Sequence, residues 1–484
     1  MPVVASSLFS VAFRSFRALR PLRFLGLAVG LSGIFSIQSF AATAHPRAER
    51  QLTFASQNHN LDNNDNFSPD NQWLAFDPRE DDTAIAGNAV IARVSVATGE
   101  VQELYREPRA QPWGPGVGAA NVNPVDGSVA FIRGLNNATA ERPYAMWRRV
   151  GAYVKVASPG PLGFLDARDV IAPFTPGALR GGTHRHEWSA DGRWIGFTYN
   201  DALLAAREES TGEKVNLRTI GVALRLDRGT VRVPPGPENN DGEMFAAIVV
   251  RVGPSPRPGS DEISRAFEDA WVGREGYRRA DGGWQRRARA FLGNVRTSEG
   301  RELTEVFIVD IPERIDVPGP TGPLEGTAAS MPQPPLGAEQ RRLTFTATRK
   351  FPGVVLEPRH WLRSSPDGMR IVFLAKDDVG VVQAYFIAPL GGAITQITQG
   401  QNPVQGCVRW SPDGGSIVYV SGQAVMVCDA RPTSKTFGAA RALTQPTQQL
   451  PENVIWSHDG RTIAFNRRVL TAGLWRQQIF LVQP

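Results

Sequence analysis

The chain has 484 residues, with 53 Lys or Arg against 47 Asp or Glu, 11 Trp and only two Cys. Four of the basic residues and no acid fall before residue 45, leaving 49 basic against 47 acidic, a balance that excludes the dense positive face needed to bind a nucleic-acid backbone. Two cysteines exclude a disulfide framework, and beyond residue 44 no apolar run is long enough to span a bilayer.

In chain order, the first segment reads as an export signal. Arg14, Arg17, Arg20 and Arg23 form a basic region, residues 24–37 an apolar core, and Ala42-Thr43-Ala44 an A-x-A cleavage site before His45. The apolar core falls short of the roughly 20 residues of a membrane span. Residues 1–44 are therefore expected to be a cleaved signal peptide. That places residues 45–484 in the periplasm or outside the cell as a soluble, monomeric protein.

From residue 50 the chain repeats itself. A small residue followed by Asp, and usually Gly, makes a turn at residues 68–70, 123–127, 189–192, 365–368, 411–414 and 457–460, and each turn runs into an apolar strand. The Asp caps the turn and the Gly supplies a positive φ. Trp188, Trp410 and Trp456 precede the turn at one position, which Phe67 fills in the first copy. One apolar plug per unit is what sheets stacked face to face around an axis require. A degenerate copy around Ala280-Asp281-Gly282 fills the long gap between Asp191 and Asp367. The fold class is thus all-β: a seven-bladed β-propeller, or a six-bladed one if that copy is an insertion.

Edge strands at 341–345, 394–398 and 441–444 end blades four, five and six, each with a Leu-Thr or Ile-Thr pair. The last strand, 478–482, has no such successor. Arg50-Gln51-Leu52-Thr53-Phe54 matches the missing piece, so the N-terminal strand is expected to close the ring in the last blade. Insertions are expected at about 200–280 and 316–338. Within the first, residues 260–271 carry apolar residues at helical spacing and read as a surface helix; the Pro- and Gly-rich second reads as a mobile loop. The run Arg286-Arg287-Ala288-Arg289 reads as a solvated face. Cys407 and Cys428, two strands apart in one blade at roughly 9–10 Å, are expected to be unpaired and buried.

The Ser-Pro-Asp-Gly turn, the Trp plug and the Leu-Thr pair together resemble the TolB-type β-propeller. Residues 174–184 (FTPGALRGGTH), with Gly259-Ser260-Asp261-Glu262-Ile263 and Glu305-Val306-Phe307-Ile308-Val309-Asp310, are similar to the uncharacterised YidR-like family, a domain of unknown function. The resemblance spans about residues 50–483 and implies the propeller fold; it implies no activity.

Candidate site residues follow from the innermost strands, where alternate side chains share a face. About four residues before each plug stand Asn63, Ala119, His184, His360, Gly406 and Glu452; about two before it stand Asp65, Asn121, His186, Leu362, Val408 and Val454. On a regular strand these line the central channel, with Arg180 and the Gly181-Gly182 pair shaping its mouth and offering donors to an anion. The first reading is an exported binding or scaffold module, its small-molecule or envelope-protein ligand held by Asn63, Asp65, Asn121, Arg180, His184, His186, His360 and Glu452. The alternative is a metal-dependent carbohydrate-active enzyme, similar in layout to polyuronate lyases. In it His184, His186 and His360 bind a divalent zinc, manganese or nickel ion. No G-x-S-x-G, P-loop, dinucleotide or C-x-x-C motif occurs.

Overall fold

A computed structural model describes residues 48–62, 65–81, 83–157 and 161–484. The proposed export signal and Asn63 lie outside the described residues. The repeating turn has one chemistry in five of the blades, and in the second Asn123 takes the place of the serine. In the third blade Ser189 Oγ donates to Asp191 Oδ1 at 2.5 Å and accepts the Trp194 N–H at 3.0 Å, while Asp191 Oδ1 also accepts the Arg193 N–H at 3.1 Å. Gly192 sits at φ 65°, a conformation that a side chain resists. The same serine–aspartate pairing recurs at Ser68, Ser365, Ser411 and Ser457. Each turn therefore fixes the register between the innermost strand and the next one.

Among the described residues, seven sheets radiate from a common axis. The first blade is Trp73–Phe76, Val90–Ser95 and Val101–Arg106, with its inner segment held by bridges at Asn60–Asp77 and Phe67–Leu74. The second begins at Val117–Val122, the third at Gly181–Trp188, the fourth at Ala266–Trp271, the fifth at Arg363–Ser364, the sixth at Val404–Trp410 and the seventh at Glu452–Trp456. Apolar residues of each sheet pack against the next, as where Val372 and Leu374 of the fifth blade meet Trp410 and Ile417 of the sixth. Two plugs also bond across blades: Trp271 Nε1 donates to the Glu187 carbonyl at 2.9 Å, and Trp410 Nε1 to the Arg363 carbonyl at 3.1 Å.

The ring closes as the sequence predicts. Arg50 and Gln51 pair antiparallel with Leu481 and Phe480. Leu52 is buried beside Ile479 and Leu481, and Thr53 Oγ1 accepts the Ile479 N–H at 3.0 Å. Thr344, Thr398 and Thr444 do the same for Val306, Ala384 and Val425 at 2.9–3.0 Å. The Leu-Thr pair is thus a device in which Leu fills the core and Thr caps the neighbouring strand.

Three expectations need correction. Residues 260–271 hold no helix: Ala266–Trp271 is the innermost strand of the fourth blade, and Trp271 is its plug. Burial on both faces removed the alternation that marks a strand. The helix of this region is Ala202–Thr211, capped by Asp201 and ended by Gly212 at φ 74°. The 316–338 segment is anchored, bridged at Pro318–Pro335 and Thr327–Ser330, with Leu324 buried. In the basic run at 286–289, Arg289 is fully buried rather than solvated. Both cysteines are free and buried. Among the described residues no helix is long and apolar enough to cross a membrane.

Candidate functional site

The innermost strands are not regular, and this decides which side chains reach the channel. Ala119, Arg185, Glu268 and Asn453 all have positive φ, between 51° and 62°, and each lies three residues before the plug of its blade. The pairing register slips at the same place, between His184 and Glu187 in the third blade and between Phe267 and Ala270 in the fourth. One extra residue in a bulge breaks the period of two. His184 and His186 consequently do not share a face, and the residues projecting inward are Arg185 and Glu187.

The three histidines are not brought together, which corrects the proposed metal set. His184 stays with its own sheet, Nδ1 lying 3.4 Å from Thr198 Oγ1. His186 turns sideways toward the second blade: its Nε2 lies 3.0 Å from Thr183 Oγ1, and a Cβ on Gly151 would sit 2.6 Å from that nitrogen. His360 Nδ1 donates to the Pro358 carbonyl at 3.2 Å, leaving Nε2 to accept the Leu374 N–H at 3.3 Å. Burial pushes the pKa of His186 down to about 3 and of His360 to about 4. Among the described residues no group of three His, Cys, Asp or Glu side chains is placed to hold a metal ion.

Arg180 is not at the mouth either. It is buried, donating to Asp201 Oδ2 at 2.8 Å and to the carbonyls of Thr327 and Ser330, so it docks the 316–338 segment. Asn121 is fully buried between blades, accepting the Trp188 N–H at 3.3 Å and donating to the Asp65 carbonyl at 3.4 Å. Asp65 does face the channel, 3.5 Å from Arg409. Glu452 is exposed at the opposite end, accepting from Gln477 at 2.7 Å.

What lines the channel instead is arginine. At the turn end, a cavity of about 480 Å³ is bordered by all seven blades, including Asp65, Glu187, Arg363 and Arg409. Its charges interlock. Glu187 accepts from Arg289 at 2.7 Å and from Arg363 at 3.1 Å, and Arg289 also meets Asp269. Gly196 makes room for this, since a Cβ there would lie 2.3 Å from the Arg289 guanidinium. Arg185 stacks below on Trp361, 3.6 Å from the ring centre. Burial, with Arg363 nearby, lowers the pKa of Arg185 to about 9.

The other end is less balanced. Arg149, Arg218 and Arg359, of the second, third and fifth blades, gather with Arg185 around His184, and Arg265 of the fourth blade lies near Arg218. Burial, and then Arg149, Arg218 and Arg359, hold His184 well below its ordinary pKa. Burial, with Arg149, Arg265 and Arg359, lowers Arg218 to about 9. Two carboxylates are set among them: Glu268, which is already paired with Arg359 at 2.9 Å, and Glu302 near Arg265. Arg149 is 4 % exposed, and its Nε has no hydrogen-bond partner among the described residues. The sequence pattern missed these four because none lies at the repeated strand positions.

Residues 116–239 match the model of a protein family of unknown function, DUF3748. The chain is 39% identical over 369 residues to the "Uncharacterized protein YidR" of Escherichia coli (strain K12), covering 75% of this chain and 82% of that one. Similar solved structures include an oligogalacturonate lyase in complex with manganese, 12% identical with a TM-score of 0.49, covering 91% of this chain and 96% of that one. Another is a putative TolB from Agrobacterium tumefaciens, 13% identical with a TM-score of 0.31, covering 79% and 86%.

Proposed function

This chain belongs to the family of the uncharacterised protein YidR, and since that membership brings no activity with it, we propose from the geometry that it is an anion-binding β-propeller. The site is the end of the central channel formed by Arg149, Arg218, Arg265 and Arg359, and the ligand carries at least two negative charges on phosphoryl, sulfate or carboxylate oxygens. One observation supports this reading above others: Arg149, Arg218 and Arg359 lie around His184 and Arg265 lies near Arg218, against two carboxylates, Glu268 and Glu302. Like charges held together in a partly buried cleft oppose folding. Planar guanidinium forks are suited to bind an oxyanion through paired hydrogen bonds. The bulge contributes by placing Glu268 beside Arg359.

The test pairs binding with stability. Titrating the purified protein with phosphate or citrate is expected to raise its melting temperature saturably, since a ligand of the folded state stabilises by mass action. In Arg218→Gln, affinity falls by about tenfold or more, the scale of one lost charge-assisted hydrogen bond, while the ligand-free protein melts no lower than wild type. A response that chloride reproduces at equal ionic strength, or one unchanged in both Arg218→Gln and Arg149→Gln, overturns the reading.

A further inference from the structure

Beside the arginine cluster lies a cleft of about 230 Å³ between the fifth, sixth and seventh blades, lined by Trp361, Cys407, Val420, Leu450, Pro451 and Val454, with Arg359 and Glu452 on its rim. Arg359 belongs to both features: it faces His184 and Arg218 on one side and stacks 4.5 Å over Trp361 on the other. We propose, building on the reading above, that the ligand is an anion bearing an aromatic ring. Its charged group is held by the arginines and its ring is seated in this cleft.

The size and lining fit that class. A dry apolar cavity of about 150 Å³ accepts a benzene ring, so the cleft holds a ring with a substituent. Its wall is pre-built. Both Arg359 and Arg185 stack on Trp361, the latter 3.6 Å from the ring centre. Gly406, at φ 82°, lines the cleft from the sixth blade. The rim fixes the direction of binding: Glu452 on the seventh blade repels an anion, and Arg359 on the fifth attracts it. Leu450, 37 % exposed at the entrance, covers the ring once it is bound.

Calorimetric titration of the purified protein with inorganic phosphate and with phenyl phosphate tests this. Phenyl phosphate is expected to bind about tenfold or more tighter, from the apolar area the ring buries. Leu450→Trp, or Cys407→Met as a second way to fill the cleft, removes that advantage and leaves the phosphate affinity unchanged. Equal affinities in the wild type, or an advantage that survives both filled variants, overturn the ring site while the arginine site stands. Loss of binding for both compounds overturns the two together.

Discussion

At His59 the imidazole lies 4.2 Å from the Phe76 ring, and neither of its nitrogens has a hydrogen-bond partner among the described residues. Burial pushes its pKa down to about 4, whereas in the unfolded chain it titrates near 6.5. A lowered histidine pKa contributes stability that is present above pH 6.5 and is lost as pH falls toward 4. His186 and His360 are shifted the same way. Asp166 is shifted oppositely: burial raises it to about 7, so its contribution is complete below about pH 4 and is lost as pH rises through 7. His59→Phe keeps the ring contact and removes the proton. It is expected to gain about 2–3 kcal/mol over wild type at pH 4.5 and to change little at pH 8. Urea midpoints at the two values check this, and an equal effect at both would show that packing, not protonation, governs the site.

At the level of strands, the closing segment is a copy of the outermost strand of other blades, joined from the far end of the sequence. Leu52 is 3 % exposed and packs with Ile479 and Leu481. Leu52→Ala is expected to cost about 2–5 kcal/mol, the range for an emptied leucine site, and to make the last blade the first to exchange its amide hydrogens. A loss below about 0.5 kcal/mol, within the range of a surface substitution, would mean the segment only decorates the ring. This closure was legible in the sequence because Leu-Thr does the same local work in four blades, as were the serine–aspartate turns. The innermost strands were less legible. Their bulges place Ala119, Arg185, Glu268 and Asn453 at positive φ, where glycine would have marked the spot. Counting by twos past an unmarked bulge assigns the wrong face, which is how His186 came to be read as a channel residue and Arg185 did not.

Across the whole ring, the site is assembled from separate blades, so no local motif encodes it. Arg149, Arg218, Arg265 and Arg359 span some 210 positions of sequence and meet only because four blades stand side by side. The balancing feature is the network at the turn end, where Glu187 of the third blade holds Arg289 of the fourth and Arg363 of the fifth. Replacing a buried carboxylate leaves its cationic partners facing one another, a cost of about 3–5 kcal/mol. Glu187→Ala is therefore expected to lower stability by that order. Combining it with Arg363→Leu should recover part of the loss, because one of the stranded charges goes with it. Chemical denaturation of the wild type, both single variants and the double variant measures the coupling. Strict additivity would mean that the channel charges act separately, each held by its own blade. A recovery would mean that the blades are pinned at the axis by charge as well as joined at the rim by the N-terminal strand, which is what allows the opposite end to gather four arginines and still fold.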